Sequence, residues 1–270
     1  MKKIKTKIND YLLSNFIIRK IWSIFSKVNP NPLFILGNPK SGTTVIANLL
    51  SKATKQTLTS DIQSVIKHAT LQLDFNLLSF DDFIKQHKYE FSKEIIKEPF
   101  LSFYTEELIN SFPNSKIVWI IRNPYQNIRS ILNRLKIPGN LQEIKFNQFI
   151  ELEKTPAWKL NLQSEMLGIN SVNYIEAMAH RWNYLVNLYE KNKEKIILIR
   201  YEDFVKDKKG FIDNLTHKLG FDIKQDVSDY VNVQYQPKGN SKVDLNEFFG
   251  SRNLDLISKV CKKNMKKLGY

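Results

Sequence analysis

The sequence predicts an α/β protein with three layers (α/β/α), in which helices cover both faces of a central parallel sheet. Three short apolar runs support this prediction, at residues 33–36, 116–121 and 195–199, because strands that are buried on both faces are continuously apolar. Long segments with helical periodicity separate the runs, as right-handed crossovers between parallel strands require. The 270 residues, 42% of them hydrophobic, are enough for one large domain, which we expect to extend from residue 31 to residue 270.

The first thirty residues predict an amphipathic helix in front of this domain, joined to it by the Asn-Pro-Asn-Pro linker at residues 29–32. The apolar stretch at residues 11–18 is too short to span a bilayer, and no small-residue cleavage site of a signal peptide follows it. The helix therefore either docks on the domain or makes a peripheral contact with a membrane. Its apolar residues recur at helical spacing between basic ones, at Leu12, Phe16, Ile17, Ile21, Phe25 and Val28.

The chain is strongly basic, with a formal net charge of +14 and a pI near 9.6. Such a charge attracts polyanions, among them nucleotides, nucleic acid, acidic glycans and anionic lipids, although lysines scattered over a solvated surface produce the same total. Cys261 is the single cysteine, so no disulfide forms within the chain and we expect a reducing, cytoplasmic environment. The four histidines lack the spacing of zinc ligands, and we expect no metal site.

Residues 139–170 are rich in Asn, Gln, Glu and Lys and contain Pro156. This composition differs from that of the apolar runs and predicts a helical insertion in the domain. Because loops and insertions on a rigid scaffold often carry substrate specificity, we expect this segment to influence the choice of acceptor.

The first apolar run leads directly into a loop that contains Gly37 and Gly42, and an apolar-periodic helix follows. This arrangement directs backbone N–H groups and the positive end of a helix dipole at one point, which suits a phosphate-like anion. The two glycines keep the spacing of the nucleotide-binding motif G-x-x-x-x-G-K-[ST]. Thr43 stands where that motif has its lysine, however, and Lys40 is the lysine of the loop. An ordinary β-α turn is the alternative interpretation.

Arg122 follows the second apolar run. A P-loop nucleotide hydrolase has an aspartate that helps to hold Mg²⁺ after one of its strands, and an arginine cannot hold a metal ion. It can bind a second phosphate at the edge of the sheet where parallel strands end. The two segments together predict a cofactor with two separate anionic groups and no magnesium.

Two segments resemble the motifs that define sulfotransferases dependent on 3′-phosphoadenosine 5′-phosphosulfate (PAPS). The resemblance extends from residue 33 to the C-terminus and implies a P-loop-like sulfotransferase fold. It also implies transfer of a sulfuryl group from PAPS to a hydroxyl or amine, which leaves adenosine 3′,5′-bisphosphate (PAP). The segments are Lys40-Ser41-Gly42-Thr43-Thr44, Arg122-Asn123-Pro124 with Ser130, and, as further support, Arg200-Tyr201-Glu202-Asp203-Phe204 and Gly220-Phe221.

Within this family the chain is most similar to the protein-tyrosine sulfotransferase branch and to bacterial relatives, through Lys97-Glu98-Pro99-Phe100 and the Phe-Pro-Asn-Ser-Lys segment at residues 112–116. The same segments recur in diverse carbohydrate sulfotransferases. The acceptor therefore stays open between a carbohydrate, a protein tyrosine, a lipid and a small molecule.

The resemblance assigns roles in donor binding. The first motif surrounds the 5′-phosphosulfate, Arg122 and Ser130 hold the 3′-phosphate, and Tyr201 either contacts the adenine region or packs in the core. Residues 237–242 resemble a segment that closes over the cofactor, although a surface turn has the same composition. In that segment Ser241 contacts the sulfuryl group, and a phosphate contacts Lys238 or Lys242.

The acceptor must lose a proton, and the resemblance offers several bases. The histidine that cytosolic small-molecule enzymes carry after a Lys-Thr pair is missing, since Glu98 and a proline follow Lys97. The glutamate base of the tyrosyl branch corresponds in position to Asp61, which alternatively caps a helix that begins at Ile62. Glu98 is the second candidate and His68 the third.

Lys97 is expected beside the bridging oxygen of the donor, where a cation stabilises the leaving phosphate. A solvated lysine after a short strand is the alternative interpretation.

Two other functions compete with sulfuryl transfer. A P-loop kinase or nucleotide hydrolase with a displaced lysine predicts binding of Mg²⁺ and ATP, and a non-catalytic basic protein predicts salt-sensitive binding to any polyanion or membrane. Neither explains both phosphate motifs, and we expect no nucleic-acid partner.

Overall fold

A five-stranded parallel sheet forms the centre of the protein, with the strand order β2-β3-β1-β4-β5. The computed structural model describes residues 16–62, 77–153, 156–235 and 243–270. Every strand pairs in parallel with its neighbour, which confirms the predicted fold class. The strands are β1 (Leu33–Gly37), β2 (Leu58–Thr59), β3 (Ile95–Lys97), β4 (Ile117–Ile121) and β5 (Ile196–Arg200).

The three apolar runs of the sequence are β1, β4 and β5, and all residues of β1 and β4 are buried. The sheet also contains β2 and β3, which are two and three residues long. The helices are α1 (Phe16–Phe25), α2 (Thr43–Thr54), α3 (Phe80–Gln86), α4 (Lys88–Phe91), α5 (Thr105–Ser111), α6 (Pro124–Leu135), α7 (Phe146–Glu153), α8 (Pro156–Lys159), α9 (Tyr174–Asn192), α10 (Tyr201–Lys206), α11 (Lys208–Lys218) and α12 (Leu245–Lys267).

The two faces of the sheet bury separate apolar clusters. Phe34 and Leu36 of β1 belong to the cluster that α3, α4 and α5 cover, whereas Leu33 and Ile35 belong to the cluster that α2 and α11 cover. This alternation follows from the two-residue period of a strand. A third cluster joins α6, α9 and α12 with Ile121 of β4. Helices thus cover both faces. Because all the strands are parallel, their carboxyl ends lie at one edge of the sheet.

Helix α1 packs on the domain. Ser23 is buried and accepts a hydrogen bond from the backbone N–H of Tyr89 at 3.3 Å, and the rings of Trp22 and Tyr89 lie 6.2 Å apart. Ile24 and Phe25 are 74% and 79% exposed. Across the described ranges, we find no helix with the length and hydropathy needed to cross a bilayer. Membrane contact and a cytoplasmic location stay predictions.

Two short helices, α7 and α8, and two 3₁₀ turns lie in the region that was expected to be a helical insertion. Leu152 and Leu162 are buried in the cluster of α6, α9 and α12, and Trp158 packs against it. The segment is therefore fixed to the domain next to the C-terminal end of α6.

Replacement of Gly37 by alanine is expected to destabilise the protein more than the same change at Gly168. Both glycines have positive φ, at 136° and 69°, where a side chain costs about 1–2 kcal/mol. A Cβ atom at Gly37 would stand 2.3 Å from the carbonyl oxygen of Ile120, whereas Gly168 has open space. Urea unfolding should show that Gly37→Ala costs about 1–3 kcal/mol more than Gly168→Ala. Equal losses would contradict the close approach of β1 to β4.

Candidate active site

The loop after β1 lies at the carboxyl edge of the sheet and leads into α2. The backbone N–H of Gly37 donates to Ser102 Oγ at 2.8 Å, which fixes the start of the loop. Lys40 and Gly42 have positive φ values of 65° and 98°. Gly42 is the N-cap of α2 and contributes no side-chain hydrogen bond to it, so the first N–H groups of a twelve-residue helix face the loop.

Asn127 of α6 holds this loop in place. Its amide donates to the carbonyl of Pro39 at 2.8 Å and to Ser41 Oγ at 3.0 Å, and its Oδ1 atom accepts from Asn38 at 2.7 Å. Asn127 is fully buried. Sequence analysis missed this residue. Asn127 is the fourth residue of α6, and nothing in the sequence distinguishes it from a polar residue on an exposed helix face.

Arg122 connects the two predicted anion motifs. Its guanidinium donates to the carbonyl of Lys40 at 2.9 Å and lies 4.7 Å from the ring centroid of Tyr201. That ring contacts Gly42, where a Cβ atom would stand 2.3 Å from it. Burial lowers the pKa of Arg122, but an arginine keeps its charge at neutral pH. The two predicted anion motifs therefore lie side by side at the carboxyl edge of the sheet.

Glu202, which follows Tyr201, supports the second motif from behind. Its Oε1 atom accepts from the backbone N–H of Asn123 at 2.9 Å, and its Oε2 atom accepts from the hydroxyl of Tyr270 at 2.8 Å. The start of α6 and the C-terminus of the described chain are thus fixed to the same carboxylate.

A cavity of about 540 Å³ opens over these groups. Ser41, by contrast, is buried and does not line it. The cavity includes seven residues predicted for the donor, together with apolar side chains. The predicted residues are Lys40, Gly42, Thr43, Thr44, Arg122, Ser130 and Tyr201, and the apolar ones are Val45, Phe204, Val205, Val231 and Val233.

Arg129 is a further basic residue of this cavity that sequence analysis missed. Its side chain is buried, and it donates to Gln126 Oε1 at 2.8 Å. Burial and the charge of Arg122 lower the pKa of Arg129. The sequence signal that could have identified Arg129 is its position next to Ser130, a residue predicted to bind the donor.

Lys97 and Asp61 form an ion pair close to the loop. Lys97 Nζ lies 2.6 Å from Asp61 Oδ1 and donates to the carbonyl of Ser60 at 3.0 Å. The side chain of Lys97 is 3% exposed and that of Asp61 36% exposed. The alternative of a solvated lysine is therefore wrong. Lys97 is paired with Ile35 of β1 in the sheet, so the ion pair lies near the strand end that leads into the loop. Burial, and then the charges of Arg134, Arg122 and Lys97, lower the pKa of Lys40.

Glu98 is buried beneath this pair. Its Oε2 atom accepts from the backbone N–H of Ile62 at 2.8 Å and its Oε1 atom from that of Phe100 at 3.0 Å. Burial, followed by the charge of Asp61, raises the pKa of Glu98 to about 7. Both oxygens are occupied, so Glu98 positions the segment that carries Asp61.

Some predictions concern segments that lie outside the described residues, and they stay predictions. They are the helix after Ile62 and the roles of His68, Lys238, Ser241 and Lys242. In the ranges that are described, no three or more His, Cys, Asp and Glu side chains gather in a way that could hold a metal ion.

A family model described as the sulfotransferase family matches residues 53–225. The structure of sulfotransferase STF9 from Mycobacterium avium is similar with a TM-score of 0.54 and 13% identity over 96% of this chain and 81% of that one. Mouse sulfotransferase SULT7A1, complexed with PAP, gives a TM-score of 0.51 and 16% identity over 92% and 89% of the two chains. No curated protein matches the sequence. At these identities the structures show a shared fold.

The raised pKa of Glu98 predicts a loss of stability as the pH rises. The carboxyl group titrates at 4.5 in the unfolded chain and near 7 in the folded protein. The contribution of its neutral form is fully present below pH 4.5 and is lost as the pH rises through 7. The free energy of unfolding should fall by something on the order of 3 kcal/mol across this window.

Urea unfolding of the wild type and of Glu98→Gln across this pH window tests the assignment. The amide does not titrate, so the variant should lose this pH dependence, although its single acceptor oxygen lowers its absolute stability. Glu107→Gln, at an exposed position of α5, should keep the wild-type profile. Parallel curves for the wild type and Glu98→Gln would show that Glu98 does not titrate in this window.

Proposed function

The chain belongs to the sulfotransferase family and transfers sulfuryl groups, and we propose that it takes them from PAPS bound in the cavity described above. The observation that carries this proposal is the hydrogen bond between Arg122 and the carbonyl of Lys40. It makes two anion sites part of one cavity, and PAPS carries two separate anionic groups. A kinase would need an acidic residue for its metal ion where this chain has Arg122.

The cavity offers each part of PAPS a matching environment. The N–H groups at the start of α2, Lys40 and the hydroxyls of Thr43 and Thr44 receive the 5′-phosphosulfate. Arg122, Arg129 and Ser130 receive the 3′-phosphate, since guanidinium groups bind phosphates through charge-assisted hydrogen bonds. The apolar side chains of the cavity receive the adenine. The volume of about 540 Å³ lies within the usual range for ligand pockets.

We place the transfer step between Lys40 and the Lys97–Asp61 pair. The acceptor oxygen or nitrogen attacks sulfur, the bond from sulfur to the phosphate oxygen breaks, and PAP leaves with that electron pair. Asp61 accepts the acceptor's proton, while Lys40 and Lys97 stabilise the charge on the leaving phosphate. Asp61 is favoured over Glu98 because its carboxylate is partly exposed and both Glu98 oxygens are bound to backbone N–H groups.

Arg122→Gln is expected to weaken PAP binding about a hundredfold, because two charge-assisted hydrogen bonds of about 1.5 kcal/mol each are lost. Adenosine 5′-phosphosulfate, which lacks the 3′-phosphate, should lose much less affinity. Calorimetric titration of both ligands measures the difference.

Arg252→Gln, which removes an exposed arginine of α12, is the matched control and should bind both ligands like the wild type. Equal weakening of both ligands by Arg122→Gln would mean that Arg122 supports the loop and does not bind the 3′-phosphate. Wild-type affinity for PAP would contradict the donor site itself.

Asp61→Asn is expected to lower kcat by about 10²–10⁴-fold, as loss of a general base does. The Kd for PAP should stay unchanged, because Asp61 does not line the donor cavity. Asp61→Glu should restore much of the activity, since it keeps the carboxylate. Transfer of radiolabelled sulfate from PAPS measures kcat. Full turnover by Asp61→Asn would overturn this assignment.

A further inference from the structure

Helix α9 contacts both anion motifs through two adjacent residues. Arg181 Nε donates to Asn38 Oδ1 at 3.3 Å, in the loop after β1, and Trp182 Nε1 donates to the carbonyl of Arg122 at 2.9 Å. The two side chains of α9 are 4% and 2% exposed, and neither lines the donor cavity. They can therefore influence a bound donor only through other residues.

Arg181 fixes the direction of a chain of hydrogen bonds in the loop. An arginine side chain has only donors, so Asn38 turns its oxygen to Arg181 and its NH₂ group to Asn127 Oδ1, which accepts at 2.7 Å. The NH₂ group of Asn127 is thereby directed at the carbonyl of Pro39, at 2.8 Å, and at Ser41 Oγ, at 3.0 Å. One guanidinium thus sets the orientation of both amides that hold the loop.

Arg181 also connects this loop to the segment that carries Lys97. Its guanidinium lies 4.3 Å from the ring centroid of Phe103, within the range of a cation on an aromatic face. Phe103 belongs to the 3₁₀ turn after β3. The residue before it, Ser102, accepts a hydrogen bond from the backbone N–H of Gly37 at 2.8 Å. The loop and the segment of Lys97 are therefore joined at two points, one of which is Arg181.

Trp182 holds the second motif in a corresponding way. The peptide bond between Arg122 and Asn123 is fixed on both sides, because its carbonyl accepts from Trp182 and its N–H donates to Glu202 Oε1 at 2.9 Å. This peptide bond lies where β4 has ended and α6 begins. The direction in which the Arg122 side chain leaves the backbone therefore depends on Trp182.

We propose that Arg181 and Trp182 are positioning residues for the donor, Arg181 for the 5′-phosphosulfate and Trp182 for the 3′-phosphate. This inference rests on the proposed function. Because adjacent residues of a helix are fixed relative to each other, α9 sets the spacing of the two anion sites. The phosphosulfate must also lie in line with the attacking acceptor, and the contact of Arg181 with Phe103 fixes the loop relative to Lys97.

Calorimetric titration with two nucleotides, each of which carries one of the anionic groups, tests this inference. Adenosine 5′-phosphosulfate lacks the 3′-phosphate, and adenosine 3′-phosphate lacks the 5′ group. Arg181→Met removes the first donor of the hydrogen-bond chain. It should raise the Kd for adenosine 5′-phosphosulfate about tenfold, which corresponds to about 1.4 kcal/mol, and leave that for adenosine 3′-phosphate unchanged. Trp182→Phe, which keeps an aromatic ring without the N–H donor, should show the opposite selectivity.

Further variants separate positioning from folding. Arg181→Lys keeps a charge and a donor and should restore most of the affinity that Arg181→Met loses. Lys191→Met, at an exposed position of the same helix, is the matched control and should bind both nucleotides like the wild type. The stoichiometry of PAP binding gives the folded fraction of each variant. If Arg181→Met does not fold, Phe103→Leu takes its place and should weaken adenosine 5′-phosphosulfate alone, by about threefold.

Two results would overturn the inference. Equal weakening of both nucleotides by each variant would show that Arg181 and Trp182 only support the fold. Wild-type affinities in both variants would show that the anion sites do not depend on α9.

The two proposals fail in different ways. A wild-type protein that does not bind PAP in the calorimeter defeats the donor assignment and this inference with it. A protein that binds PAP, but whose Arg181 and Trp182 variants do not discriminate between the two nucleotides, defeats this inference alone.

Discussion

The hydrogen bond from Arg122 to the carbonyl of Lys40 is the contact on which the site depends. Lys40 follows β1 and Arg122 follows β4, and these strands are neighbours in the sheet. Because parallel strands end at one edge, their loops meet there. Tyr201, which follows β5, packs against both Arg122 and Gly42. Three consecutive strand ends thus form one wall, and no domain movement is needed to assemble it.

Sequence reasoning identified this wall because its signals are local. A glycine loop after an apolar run, or an arginine that ends such a run, can be recognised without knowing the fold. Asn127 acts through the face of α6 that it occupies, and its partners Pro39 and Ser41 lie far away in sequence. Arg129 lines the cavity from the same helix. The strands β2 and β3 are too short for a periodic pattern, so the burial of Lys97 in β3 was not foreseen.

The Lys97–Asp61 ion pair depends on a second long-range contact. Glu98 follows Lys97 and accepts the backbone N–H of Ile62, which follows Asp61. Lys97 and Glu98 therefore bind the adjacent residues Asp61 and Ile62. The first contact joins two side chains, and the second joins the Glu98 carboxyl group to the backbone N–H of Ile62. A neutral Glu98 costs less to bury than a charged one. Asp61 is therefore the carboxylate that pairs with Lys97.

Crowded cations explain why the cavity should bind an anionic donor. Burial and neighbouring positive charges lower the pKa of Lys40 and of Arg129, and Arg122 is among the cations that act on each of them. The two anionic groups of the proposed donor would remove that repulsion. Arg134 of α6 contributes to the same field on Lys40, so a bound anion would be held by the combined field of several cations and not by one ion pair alone.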